Sequence, residues 1–431
     1  MSNGAHAVRA AVAVLGVAAL AVTAGCSSGS SSSTSASSGD SGGKVTLEFA
    51  QWWEPELPAG ALKGLMDDFT KQNPNIEVKL LSGPYASTKE QVVAGAASGT
   101  MSDVVGLDGA WVSDFKKQGA IADLSALMKQ NGYDESQLVS QVKLDGSTYM
   151  IPVLNFVYPL FTNDDLLSKA GVTAPPSTRT QFMDAAKKIT AGGAASGWVL
   201  PLSLDAPNGV QNDVMSWVWA SGGSMLKDGK PDLTNSDVKA GTQFVKDLWD
   251  AKVIAPGSFT MKEQDKVEQF TNGRVGMMID SLAHINLIRK ENPNLKFSIS
   301  AIPAADGYSG KRGIPYASWG IGIAQNSKHK AEAFKLVSYL LSKDVNSKMS
   351  TLANAFPGNT GSTPDFSNSD PLFKSAFEIY KQGTPANEFV GLPVSEQLMR
   401  DFGEQLQSTL DGKQSVDDAL KNAQAKWVGE F

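Results

Sequence analysis

The chain has 431 residues, a formal net charge of −6, 41 glycines, 20 prolines, one cysteine and three histidines. No basic run stands out, so a nucleic-acid partner is excluded. The lone Cys26 closes no internal disulfide, and His6, His284 and His329 lie too far apart in sequence to build a His/Cys metal set.

The chain opens with Arg9 and an apolar run, Ala10 to Ala24, which ends in Leu20-Ala21-Val22-Thr23-Ala24-Gly25-Cys26. That run is shorter than the roughly 20 residues of a membrane span. A charged start followed by a short apolar stretch is the grammar of a secretory leader. The small-small-Cys ending resembles the bacterial lipobox, whose cysteine accepts a diacylglyceryl group, although Thr23 stands where Leu is commonest. Residues 1–25 therefore read as a removable leader and Cys26 as a lipidation site that holds the protein on the extracellular face of a bacterial cell membrane. Residues 26–43 are almost all Ser, Gly, Thr and Ala. They cannot bury apolar area and read as a flexible leash. Loss of Arg9 takes the net charge from −6 to −7.

The body from Lys44 is long enough for two lobes. Val45, Leu47 and Phe49 alternate as a strand; Ala61, Leu62, Leu65, Met66 and Phe69 recur at helical spacing, and Asn73-Pro74 stops that helix. Ile76, Val78 and Leu80 alternate again. Ser87-x-x-Glu90 predicts a capping box for a helix running to Gly99. Asp103 to Leu107 is a short buried strand, and Ser113 is expected to cap a brief helix ended by Gly119. The order β-α-β-α-β-α argues for a parallel sheet with helices on its faces. Helical stripes follow at Phe182–Ile189 and Val238–Trp249, and another helix ends at Asn272-Gly273. Strands are expected at Val275–Ile279, 297–302 and 320–324. From Ser327 almost everything is helical, through Ala331–Leu341, Phe373–Tyr380 and Leu398–Leu410, to a last helix capped by Ser415.

Ligands of open α/β sheets bind outside the carboxyl ends of the strands. Three strand-end loops then share one rim: Gln51-Trp52-Trp53-Glu54-Pro55-Glu56, Ser82-Gly83-Pro84-Tyr85 and Asp108-Gly109-Ala110-Trp111. Aromatic faces beside carboxylates suit a sugar, whose C–H face stacks on rings and whose hydroxyls take charge-assisted hydrogen bonds. The candidates here are Trp52, Trp53, Glu54, Tyr85, Asp108 and Trp111, with one of the adjacent tryptophans facing the ligand. Trp217 and Trp219 lie on one short helical segment, so one is expected in the cleft and one in the core. Asn155 and Tyr158 follow Ile151-Pro152, Asp280 follows a strand and Trp319 precedes one; all four are candidates. Trp249 and Trp427 sit on apolar stripes and read as core. The chain has no Gly-x-Ser-x-Gly elbow, P-loop or Gly-x-Gly-x-x-Gly, so no catalytic residue and no cofactor is assigned. Two carboxylates acting as a glycosidase pair stay open as an alternative.

Several segments carry a family likeness: Phe69-Thr-Lys-Gln-Asn-Pro-Asn-Ile-Glu-Val78, Asp145-Gly146 with Tyr149 to Pro152, Phe161-Thr-Asn-Asp-Asp-Leu-Leu167, and Phe270-x-Asn-Gly-Arg-Val-Gly-Met-Met-Ile279. In this order and spacing the chain resembles the extracellular solute-binding proteins of carbohydrate ABC importers, the group that includes the maltose-binding protein. Phe161-Thr162 departs from the usual Tyr-Asn. The resemblance implies a periplasmic-binding-protein-like fold: two α/β lobes joined by a hinge the chain crosses more than once, with the ligand cleft between them. By analogy lobe one is 44–154 and 281–323, and lobe two 155–280 and 324–431. It adds Phe356 as a candidate ligand contact. It implies a monomer that captures a sugar, a di- or oligosaccharide, and delivers it to membrane permease subunits. The alternatives are a secreted glycoside-cleaving enzyme, or the same receptor fold binding a polyol or peptide.

Overall fold

The computed structural model describes residues Gly43–Phe431. The leader, Cys26 and all of the leash but Gly43 lie outside the described residues. The chain begins with β1 (Val45–Gln51), α1 (Ala61–Gln72), β2 (Ile76–Ser82), α2 (Tyr85–Ser98) and β3 (Val104–Leu107). Helix α1 buries Leu62, Leu65, Met66 and Phe69, the i, i+3, i+4, i+7 stripe of an amphipathic helix, and Asn73 ends it. Both β2 and β3 pair with β1 in parallel. Two short helices, α3 (Val112–Lys117) and α4 (Leu124–Gln130), lead to β4 (Val142–Leu144) and the eleven-residue β5 (Ser147–Val157).

The next stretch contains β6 (Leu160–Asn163), α5 (Asp164–Lys169), α6 (Arg179–Ala191), β7 (Ser196–Trp198), a π-helical turn (Val210–Val214), α7 (Ser216–Trp219) and the hairpin β8–β9 (Leu226–Lys227, Lys230–Pro231). It continues with α8 (Ser236–Asp250), α9 (Glu263–Thr271), β10 (Val275–Ile279), α10 (His284–Glu291) and β11 (Phe297–Ser300). The chain closes with β12 (Gly313–Ile323), α11 (Lys330–Leu340), α12 (Lys343–Ala353), β13 (Phe356–Pro357), α13 (Pro371–Gln382), β14 (Thr384–Ala386), α14 (Ser395–Leu410) and α15 (Val416–Val428).

Two main sheets result. One runs β13-β5-β12-β3-β1-β2, with β4 and β14 attached to β5 and β12; the other runs β11-β6-β10-β7. The first sheet packs into a core with α1, α3, α4, α11 and α12. The second carries one apolar cluster with α6, α8, α14 and α15 and another with α9, α10 and α13.

The lobe boundaries inferred by analogy need two corrections. Residues 281–300 were expected in lobe one. Leu282, Ile285, Ile288, Phe297 and Ile299 instead bury against Phe161 and Met278, because β11 pairs with β6 of the second sheet. Residues 324–355 were expected in lobe two, whereas Ala333, Phe334, Leu340, Met349 and Ala355 pack into the first core. The chain therefore crosses between lobes at the end of β5, between Phe156 and Tyr158, within β12, between Ile314 and Trp319, and around β13.

Strands β5 and β12 form the hinge ladder, antiparallel from Tyr316↔Val157 to Ile321↔Ile151. Its register shifts between Trp319 and Gly320. A β-carbon on Gly320 would lie 2.3 Å from Met150 Sδ, so any side chain there would have to displace the Met150 thioether. Such a shift re-aims the neighbouring side chain, here Trp319.

Candidate functional site

A cleft of about 540 Å³ opens where the two lobes and the hinge ladder meet, within the usual range for a small-molecule site. Its lobe-one wall is made by the three loops after β1, β2 and β3: Trp52, Pro55 and Glu56 from the first, Pro84 and Tyr85 from the second, Asp108 from the third. The hinge strands supply the floor, with Phe156, Tyr158, Ala317, Ser318 and Trp319. Lobe two contributes Asn208, Glu263, Gln264, Ser281, Ala283 and His284. A hollow of similar size lies on the outer face of α1 and β2, around Glu54, Lys63 and Asp67; it has no aromatic wall.

The lobe-one wall is a preformed aromatic set. Trp52 meets Tyr85 edge-on at 5.2 Å and Trp111 at 5.6 Å, and Tyr85 lies 5.3 Å from Trp111. Asp108 caps the turn behind it by accepting from Ala110 N (2.9 Å), and it takes the Tyr85 hydroxyl at 3.0 Å. Burial raises the Asp108 carboxyl pKa, against the lowering effect of these two donors. Burial, then Asp108, pushes the Tyr85 phenol well up. Glu56 projects openly into the cleft. Crowding by the cleft walls pushes its carboxyl up to about 7, opposed by His284 and the Trp319 indole.

Beneath the lobe-two wall lies a fully buried ammonium. Lys266 Nζ donates to Ile279 O at 2.6 Å and lies 3.3, 3.4 and 3.7 Å from Asp213, Asp280 and Glu263. The π-helical turn brings Asp213 into this cluster, a distortion common at functional sites. Burial disfavours the ammonium, but the three carboxylates outweigh it and keep Lys266 charged. Burial pushes the Asp213 carboxyl up to about 8, against the lowering effect of Lys266. Asp280 is held low despite burial by His284 and Lys266. His284 Nδ1 bonds Asp280 Oδ2 at 2.8 Å. The cluster thus supports two cleft-facing groups, Glu263 and His284.

His284 gives the protein a pH-dependent stability. Burial alone would lower its pKa, but Asp280 raises it to about 9. The folded protein therefore keeps this proton after the unfolded chain has released it near 6.5. The contribution is fully present below about pH 6.5 and is lost as pH rises through about 9. Asp213 and Glu56, also raised, act in the same sense at lower pH. Denaturant titrations should show stability falling between pH 6.5 and 9.5, with about 3 kcal/mol as the His284 share. His284→Gln should flatten that window; an unchanged slope would refute the assignment.

Of the residues singled out in the sequence, Trp52, Tyr85, Asp108, Tyr158 and Trp319 line the cleft. The others sit elsewhere, for definable reasons. Trp53 is buried, stacked on Trp319 at 5.5 Å with planes 5° apart. Trp111 backs Trp52 and Tyr85. Glu54 turns outward, accepting from Ser82 Oγ. Asn155 sits behind the floor, its Oδ1 accepting from Ser318 Oγ at 2.8 Å. Asp280 lies under the wall, bonded to His284. Neither Trp217 nor Trp219 reaches the cleft. Trp217 is enclosed by Phe182, Trp198 and Phe244, while Trp219 donates to Glu388 at 2.8 Å. Phe356 stacks on Tyr380 in the third cluster.

Sequence reasoning missed Glu56, Phe156, Asn208, Glu263, Gln264, Ser281, His284 and Ser318 as site residues. One signal was available: Asp280 and His284 are four apart across a strand end and a helix start. Beyond the cleft, the lobes touch at one edge, where Gly391 N donates to Gly109 O at 3.1 Å and Lys89 pairs with Glu396. Among the described residues no cluster of three or more His, Cys, Asp or Glu could hold a metal ion, and no helix is long and apolar enough to cross a membrane.

The sequence pattern of the family described as "Bacterial extracellular solute-binding protein" matches residues 54–347. A binding protein of Brucella abortus (strain 2308) is 29% identical, over 83% of this chain and 86% of its own. The sn-glycerol-3-phosphate-binding periplasmic protein of Rhizobium meliloti (strain 1021) is 21% identical, over 87% and 93%. The cyclic α-maltosyl-1,6-maltose binding protein of Arthrobacter globiformis has a similar fold, with a TM-score of 0.76 over 90% of this chain and 99% of that one at 18% identity. The chain belongs to the bacterial extracellular solute-binding proteins and has their two-lobed fold.

Proposed function

We propose that this protein is a receptor that captures a sugar, a di- or oligosaccharide, between its lobes and delivers it to the permease of an ABC importer. One observation carries the reading: the cleft sets aromatic rings (Trp52, Tyr158, Trp319) beside hydroxyl-binding carboxylates (Glu56, Asp108, Glu263) drawn from both lobes and the hinge. Rings take the apolar face of a pyranose, and carboxylates take its hydroxyls. A ligand that touches both walls stabilises the closed arrangement over the open one, and this population shift is what a permease reads. The fold shared with a cyclic maltosyl-maltose binding protein supports a saccharide.

The lipid on Cys26 would hold the receptor, as a monomer, at the outer face of the membrane. The Ser/Gly leash lets the lobes move while tethering raises their effective concentration beside the permease. A micromolar Kd, about −8 kcal/mol, suffices for capture with release.

The glycoside-cleaving alternative is favoured by one feature, a cleft-facing Glu56 whose pKa of about 7 suits a general acid. A polyol or peptide would keep the fold and change the ligand. Thermal-shift titration of the purified protein with a panel of mono-, di- and oligosaccharides, polyols and peptides, with product analysis, separates these readings. Saturable stabilisation by a saccharide with no cleavage is expected. Turnover would overturn the receptor reading, and stabilisation by peptides alone would overturn the sugar.

A further inference from the structure

Three carboxylates face the cleft, and among the described residues no lysine or arginine lines it. Among the described residues the imidazole of His284 is the one basic side chain on its walls, and Asp280 balances it at 2.8 Å. Lys266, behind the wall, is shared among Asp213, Asp280 and Glu263 and spends a proton on Ile279 O. Lys89, at the edge, is paired with Glu396. These three cations are thus already neutralised, while Glu56 has no cationic partner of its own within salt-bridge distance among the described residues.

Helix N-termini could still attract an anion, and three open on this cleft. At α10 the backbone N–H of Ala283 already donates to Ser281 Oγ at 3.3 Å, and the first residue, His284, is bonded to Asp280 at 2.8 Å. At α9 the first turn already holds Glu263 and Asp265, and Asp265 accepts from the Lys262 backbone N–H at 2.8 Å. At α2 no side chain caps the helix. There, however, the first residue, Tyr85, donates its hydroxyl to Asp108. An acidic side chain therefore already stands beside a dipole end equivalent to about half a positive charge.

We infer that this cleft selects by charge: its solute is an uncharged polyhydroxylated molecule, and sugar phosphates and sugar acids are rejected by Glu56, Asp108 and Glu263. The inference rests on the sugar-receptor reading and narrows it. It also separates this chain from its glycerol-phosphate-binding relative: an anionic headgroup here would meet carboxylates with no spare donor cation. Unpaired like charges at a desolvated contact are the usual means of rejecting a wrong ligand.

The test is calorimetric titration of the purified protein with glucose, maltose and trehalose, with glucose 6-phosphate and trehalose 6-phosphate, and with glycerol 3-phosphate, at about pH 8.5, where Glu56 is ionised, and at two ionic strengths. For whichever neutral sugar binds, the phosphate ester is expected to bind at least about 100-fold more weakly, with the gap narrowing at high salt. Glu56→Gln should shrink the neutral-to-phosphate ratio about tenfold. A phosphate ester that binds as tightly as its parent, or a ratio untouched by both salt and Glu56→Gln, overturns the charge inference while leaving the sugar receptor standing. Binding by none of these probes, together with a failed saccharide screen, overturns the receptor reading and this inference with it.

Discussion

Replacing Lys266 with methionine is expected to lower folding stability by about 3–5 kcal/mol. The side chain is fully buried, and its ammonium is the common partner of Asp213, Asp280, Glu263 and the Ile279 carbonyl. Methionine roughly fills the volume, so the loss is electrostatic. It strands carboxylates in a site where water cannot replace the missing donor. The pH dependence identifies the cause. With Lys266 gone, the folded pKa values of Asp213 and Asp280 rise further, so the variant should recover stability as pH falls and these groups take up protons. Denaturant titration at pH 5 and pH 8 should show a larger deficit at pH 8. The double variant Lys266→Met with Asp213→Asn should regain part of the loss at pH 8. A single-variant deficit under about 1 kcal/mol at pH 8 would mean that the cluster contributes little. Because the cluster supports Glu263 and His284, the folded variant should also bind ligand less well.

What the sequence showed follows from how local each signal is. The stripe Leu62-Leu65-Met66-Phe69 and the stop at Asn73 needed only neighbouring residues, and α1 ends there. Ser415 caps α15 as read, accepting from Asp418 N. The strand-end rule placed Trp52, Tyr85 and Asp108 on one wall because β1, β2 and β3 are parallel neighbours. Caps were less legible. Helix α2 starts at Tyr85, two residues before the expected Ser87, since Pro84 already sets the turn.

The misses are non-local. The eleven-residue strand Ser147–Val157 went unread, as it is almost wholly buried and shows little alternation after Tyr149. Without β5 the floor residues Phe156 and Ser318 had no reason to meet. The sequence reading puts one of Trp217 and Trp219 in the cleft because a short helical segment turns them different ways; only packing shows Trp217 closed in by Phe182, Trp198 and Phe244, and Trp219 bonded to Glu388. The lobe boundaries moved for the same reason: α11 and α12 follow the last long strand in sequence but bury their apolar faces in the first core.

Trp52→Ala is expected to weaken sugar binding about 30- to 100-fold, or roughly 2–3 kcal/mol. The side chain lines the cleft and is held on three sides, by Tyr85, Trp111 and Trp53 at 5.2, 5.6 and 6.4 Å. That support fixes its rotamer before ligand arrives, so stacking loses little entropy on binding. Trp52 is also largely buried, and its removal leaves a cavity, so some stability is lost as well. Two comparisons separate the effects. Trp53→Ala removes a ring that is fully buried between Phe49 and Trp319; it should destabilise at least as much, with a smaller direct effect on affinity. Tyr85→Phe keeps the ring and deletes only the hydroxyl bonded to Asp108, so its affinity change reports the orientation of that carboxylate. Titration of each folded variant with the best saccharide from the screen, well below its Tm, gives the ordering. If Trp52→Ala binds as tightly as the parent while Trp53→Ala does not, the ligand face belongs to the floor at Trp319, whose ring Trp53 supports, and the lobe-one rim is only its frame.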